Sequence, residues 1–192
     1  MSNMSKKYRV YKPKLRVEFS HRCAYCETRE PEIGGSKSFH IDHYKPKKLF
    51  PELIYTYNNL IYSCRDCNDY KRDYWPNRLE RLLKKFILNP RKDQINKHIN
   101  TSGFAWSGKT AQGKWTVTKL RLDSVALSLR REDRTRLKRK IQQMNAMIED
   151  AKQRLHMGRN LSSSERQSLE NFIEEETKNT ESFKRKIFGP MD

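Results

Sequence analysis

Apolar residues are distributed unevenly along the 192-residue chain, and their spacing changes character several times. Residues 1–20 are a polar, basic lead-in in which Val17 and Phe19 are the first candidates for a core. From Ser20 to Trp75 no apolar period is long enough to define an element by itself, so another agent must organise this stretch. After Pro76, residues Leu79, Leu82, Leu83, Phe86 and Ile87 recur at three- and four-residue steps. That spacing predicts a short amphipathic helix, stopped by Asn89-Pro90. Around Trp115 and Val117, flanked by Thr116 and Thr118, the pattern alternates in strand fashion. With turn signals at Ser107-Gly108 and Gln112-Gly113, residues 91–122 read as a short β-hairpin or curled sheet.

From Asp123 onward the pattern is helical. Leu137, Ile141, Met144, Ile148, Ala151 and Leu155 form a heptad seam. Gly158 can close that helix, and Ser162 with Glu165 can cap the next as a reciprocal box. Leu169, Phe172, Ile173, Phe183 and Ile187 line one side of the second helix. An antiparallel helical hairpin is the simplest outcome, although the same heptad could serve a homodimer. The fold class is therefore α+β, with a small domain over residues 1–122 and a C-terminal helical hairpin over residues 123–192 as a partner- or dimer-docking element.

Composition sharpens this picture. Only 35% of residues are hydrophobic and 33% are charged, which suits one modest core. The chain has no apolar run of membrane-spanning length, and its start is polar, so a cytoplasmic location is the expectation. Net charge is +18, with +19 on residues 1–157 and −1 on residues 158–192. A surplus of this size favours a polyanionic partner, DNA or RNA, because each neutralised phosphate releases counterions. All four cysteines sit in two Cys-x-x-Cys pairs, Cys23/Cys26 and Cys64/Cys67. Two such pairs framing a histidine cluster point to structural Zn²⁺ on four thiolates rather than to a redox dithiol.

Between the pairs runs Phe39-His40-Ile41-Asp42-His43-Tyr44-Lys45-Pro46-Lys47. Further on, Tyr57-Asn58-Asn59-Leu60 leads into the second pair, which Asn68 follows directly, with Lys71 three residues later. Phosphodiester hydrolysis needs an activated water, charge stabilisation at the phosphoryl oxygens, and cations to hold the backbone. His43 can accept the proton, since imidazole titrates near neutral pH. Asp42 and Asn68 offer hard oxygen ligands for Mg²⁺ or Mn²⁺. Asn59 can brace the loop behind the base, and Lys45, Lys47, Lys48 and Lys71 are candidate nucleic-acid contacts. His40 shares a strand face with Asp42 and could touch metal or phosphate, or serve only as a hydrogen-bonded scaffold.

Taken together, Cys-x-x-Cys, Ile-Asp-His-x-x-Pro, Asn-Asn-Leu and Cys-x-x-Cys-Asn-x-x-Lys resemble the HNH endonucleases. The resemblance implies a zinc-stapled ββα-metal core, His43 as general base, Asp42 as a catalytic-metal ligand, Asn59 as the middle asparagine and Asn68 in the third motif position, commonly histidine. The longer string from His40 through Asn68-Asp-Tyr-Lys-Arg-Asp-Tyr-Trp-Pro is similar to HNH proteins encoded beside ATPases in bacterial anti-phage systems of the Septu and retron-associated kind. That likeness implies a defence role and an ATPase partner. A non-catalytic zinc-knuckle subunit that binds nucleic acid or serves in assembly is the alternative. Trp75, Trp106 and Trp115 could stack on bases, but core packing is the commoner use of tryptophan. Seven basic residues between Arg130 and Lys140 favour a DNA- or partner-binding helix face.

Overall fold

The computed structural model describes residues 4–158 and 161–189, and the chain divides into two compact units at Arg131/Glu132. In the first unit, a 3-10 stretch Met4–Tyr11 feeds α1 (Lys12–Glu18). Leu15 enters the core, whereas Val17 points outward and is 61% exposed, contrary to the core role expected of it. Because this segment is helical, residues 15 and 19 share a face and residue 17 lies opposite. Phe19 accordingly packs against the core.

The centre of the unit is β1 (Phe39–His43) paired antiparallel with β2 (Leu60–Cys64), followed without a break by α2 (Arg65–Lys71). The register sets Phe39 opposite Cys64 and His43 opposite Leu60. Every residue of β2 is buried, which explains its continuous Leu-Ile-Tyr run where alternation would mark a half-exposed strand. Leu15, Phe39, Leu60, Ile61 and Tyr62 pack with the four cysteines, and the Phe39 and Tyr62 rings stack at 4.8 Å.

The amphipathic helix expected over Leu79–Ile87 is shorter than its pattern. Asn77 and Glu80 form a capping box for α3 (Arg78–Leu82), but Lys84 adopts a left-handed φ of 56° just beyond it. Leu79, Leu82 and Leu83 are left exposed, while Ile87 and Leu88 enter the core from irregular backbone. Asn89-Pro90 is a turn, with Asn89 Oδ1 accepting from Arg91 N at 2.9 Å, and ends no helix.

The expected hairpin reduces to β3 (Ile99–Asn100) after α4 (Ile95–His98), paired with β4 (Ser107–Gly108). The Trp115–Thr118 stretch read as a strand is helical instead, within α5 (Ala111–Leu120). Thr110 caps it by accepting from Gly113 N, and the buried positions 113, 116, 117 and 120 follow a helical period. Thr116 returns its hydroxyl to Gln112 O at 2.9 Å, which satisfies the donor of a buried side chain. Gly113 was expected to turn the chain. It sits inside the helix where His98 O approaches so closely that a Cβ would lie 1.8 Å away.

Helix α6 (Val125–Met157) opens in the first unit. There Leu127 is buried, and the Arg131 guanidinium covers Trp106 at 3.8 Å while donating to Phe104 O and Leu122 O. The second unit comprises α6 from Glu132 and α7 (Ser163–Phe188), which pack as an antiparallel hairpin with Lys140 over Phe183. Ile141, Ile148 and Ala151 of the heptad seam are buried, as are Thr180 and Ile187 of α7. Phe172 is exposed, one residue off the inward face carried by Leu169 and Ile173. Gly158 directly follows α6, and Ser162 and Glu165 form the reciprocal cap of α7. Among the described residues, no helix is long and apolar enough to cross a membrane.

Candidate active site

The two cysteine pairs come from unlike pieces of backbone. Cys23–Cys26 is a tight turn, closed by Glu27 at a left-handed φ of 61° and by Cys23 N donating to Thr28 O. Cys64 ends β2 and stands at the N-cap position of α2, and Cys67 lies in the first turn of that helix. Ala24 N donates to Tyr62 O at 2.9 Å, which docks the turn onto β2. All four sulfurs are buried and lie within 4.8 Å of one another, with Cys26 and Cys64 at 3.7 Å. Thiolates on a tetrahedral zinc at about 2.3 Å stand about 3.8 Å apart. The cluster therefore fits a four-sulfur metal site.

Asp42 and His43 sit at the C-terminal end of β1, opposite Ile61 and Leu60. His43 is buried, its Nε2 lies 3.0 Å from Ile54 O, and the Tyr8 ring packs edge-on at 4.8 Å. A carbonyl can only accept, so Nε2 carries the proton and Nδ1 holds the lone pair of the neutral ring. Burial also lowers the His43 pKa, which keeps that neutral form populated near pH 7. Asn59 braces the loop that supplies Ile54. Its Oδ1 accepts from Lys45 N at 2.8 Å, and its Nδ2 donates to Lys45 O and Leu53 O.

These groups open onto a cavity of about 540 Å³ whose walls include His40, Asp42, His43 and Asn68. Arg9, Lys12, Lys37, Lys47 and Arg72 surround them, against the further acid Asp73. The result is a basic cleft over a base, a carboxylate and an amide. Residues 23–73 match the family model described as HNH endonuclease. These residues are an HNH domain. A 106-residue segment is 33% identical to a Septu protein PtuB of Bacillus thuringiensis, covering 55% of this chain and 38% of that protein. The chain thus matches well under half of that relative's length. No solved structure matches it.

Within the HNH domain the expected phosphate contacts part company. Lys47 lines the cleft, and Lys48 is exposed. Lys45 turns toward the rings of Phe50 and Trp75, at 5.2 and 5.8 Å. Lys71 is 1% exposed, and its ammonium donates to Asp42 Oδ1 at 2.9 Å and His43 O at 2.7 Å. In this structure Lys71 serves the interior, because a buried carboxylate requires a buried counter-charge. Tyr25 OH donates to Asp42 Oδ2 at 2.6 Å. Neither oxygen is exhausted, since a carboxylate oxygen has two lone pairs, and Asp42 and Asn68 both line the cleft. Sequence reasoning missed Tyr8, Tyr25 and the Ile54 carbonyl. Only Tyr25, enclosed by the first cysteine pair, carried a positional hint.

Proposed function

We propose that this protein is a metal-dependent endonuclease that hydrolyses phosphodiester bonds of DNA in bacterial anti-phage defence. The observation that carries the reading is the tautomer imposed on His43. A neutral imidazole with its proton committed to Ile54 has Nδ1 free to act as a base, in a cation-lined cleft with Asp42 and Asn68. In the proposed reaction Nδ1 takes a proton from water as the water oxygen bonds to phosphorus and the bond to the leaving 3′ oxygen breaks. Mg²⁺ or Mn²⁺ held by Asp42 and Asn68 would supply charge stabilisation at phosphorus and the leaving oxygen. Lys47 and Arg72, which line the same cleft, are candidate contacts for the backbone. Zn²⁺ on Cys23, Cys26, Cys64 and Cys67 would staple the two knuckles and serve folding rather than chemistry. His40, exposed in the cleft wall, is a further candidate contact for phosphate or metal.

The domain, the similarity to a Septu protein PtuB and the sequence resemblance to HNH proteins encoded beside ATPases support a defence role with an ATPase partner. The α6–α7 hairpin is the proposed docking element for that partner or for a second copy. Plasmid incubated with Mg²⁺ or Mn²⁺ tests the activity. Wild type should nick or linearise it, chelator should abolish cutting, and His43→Ala should retain DNA binding while losing at least about 100-fold in rate. Equal cleavage by both proteins would remove His43 as the base. Binding without cleavage, on RNA as well and with an ATPase supplied, would favour the non-catalytic reading.

A further inference from the structure

The two cysteine knuckles each send one side chain to the same carboxylate. Tyr25, between Cys23 and Cys26, donates its hydroxyl to Asp42 Oδ2 at 2.6 Å. Lys71, on the helix that Cys64 and Cys67 begin, donates to Asp42 Oδ1 at 2.9 Å. Both donors are almost wholly buried, at 3% and 1% exposure, and Asp42 itself is at 4%. The turn that carries Tyr25 is held by backbone hydrogen bonds from Cys23 N to Thr28 O, from Glu27 N to Cys23 O and from Ala24 N to Tyr62 O.

We infer that Tyr25 is a positioning residue for Asp42, through which the cysteine-bound metal fixes the orientation of a ligand of the catalytic ion. The inference rests on the reading of Asp42 as that ligand. A lone carboxylate at a strand end can rotate about its terminal bond, and a donor on each oxygen stops the rotation. The two donors have opposite electrostatic consequences. Lys71 brings a positive charge that competes with a cation, whereas the neutral Tyr25 hydroxyl orients the carboxylate without opposing the ion's charge. A tyrosine hydroxyl keeps its proton across the neutral pH range and so can donate to the carboxylate.

The test is Mn²⁺ binding to the 192-residue chain, read from the spin-resonance signal of free Mn²⁺, alongside zinc content. Tyr25→Phe should stay folded, keep its cysteine-bound metal and bind Mn²⁺ about 10-fold more weakly than wild type. Asp42→Asn should bind Mn²⁺ more weakly still. Wild-type Mn²⁺ affinity in Tyr25→Phe, with affinity lost in Asp42→Asn, would overturn the positioning role alone. Wild-type affinity in Asp42→Asn would overturn the ligand reading and this inference with it. Should Tyr25→Phe fail to fold, wild type loaded with cadmium on the cysteines answers the same question. Its cadmium resonance should shift on adding Mg²⁺, and a resonance that ignores Mg²⁺ overturns the link.

Discussion

Glu30 is a buried carboxylate that no motif announces. The Arg16 guanidinium grips it with bonds of 2.7, 3.0 and 2.8 Å, and Tyr62 OH donates to it at 2.6 Å from inside β2. It thereby ties α1 to the central strand pair. Burial pushes the Glu30 pKa up, but the Arg16 and Tyr62 hydrogen bonds outweigh it and leave the group below the ordinary value of 4.5. A folded-state pKa below the unfolded one gives stability that is complete above the unfolded value and lost as pH falls through the folded one. Arg16 is about one-third exposed, so solvent screening discounts the pair, and Glu30→Gln should cost about 1–2 kcal/mol at pH 7. Urea unfolding at a series of pH values should show that gap between the two proteins closing below pH 4.5. A gap that stays constant to pH 3 would contradict the assignment of the shift to this group. Sequence and structure differ most at this scale. Asp42, His43 and Asn59 were legible because their spacing within the knuckle frame is chemically restrictive. Glu30 was not, since any residue can occupy such a position until the backbone brings a partner. The place of Tyr25 inside the first cysteine pair did not name Asp42 as its partner.

Among elements, legibility followed length. The heptad of α6 and the Ser162 cap of α7 are repeated or reciprocal signals, and both stand in the structure. The Trp115–Thr118 alternation spans too few residues to separate a period of two from one of 3.6, and tertiary packing decided for helix. The leucines after Pro76 failed for another reason. Their helix breaks at Lys84, so Leu79 and Ile87 never share a face. Gly113 offers a test in which propensity and packing predict opposite signs. Alanine is better than glycine inside a helix by about 1 kcal/mol, so an unconstrained Gly113→Ala would stabilise α5. Here the added methyl would meet His98 O at 1.8 Å, and backbone must move to admit it. Gly113→Ala should therefore destabilise the first unit by about 1–3 kcal/mol. A lowered thermal midpoint supports the close approach, and a raised one refutes it.

For the molecule as a whole, the placement of charge separates the roles of the two units. Residues 1–131 carry 28 basic and 12 acidic residues, a net of +16, whereas residues 132–192 carry 13 and 11, a net of +2. The polyanion-attracting field therefore belongs to the unit that holds the HNH domain, and the basic start of α6 is offset by the acids of α7. If backbone phosphates enter the cleft that Lys47 and Arg72 line, their neutralisation releases counterions and makes binding fall steeply with salt. Each lost phosphate contact should lower the slope of log affinity against log salt by about 1. We expect Lys47→Ala and Arg72→Ala each to do so on non-specific duplex DNA, measured without divalent ion so that no cutting intervenes. Lys152→Ala and Lys178→Ala, exposed on the second unit, should leave the slope as in wild type. The reverse pattern would move the nucleic-acid surface onto the helical hairpin and leave the cleft without a polyanion to cut.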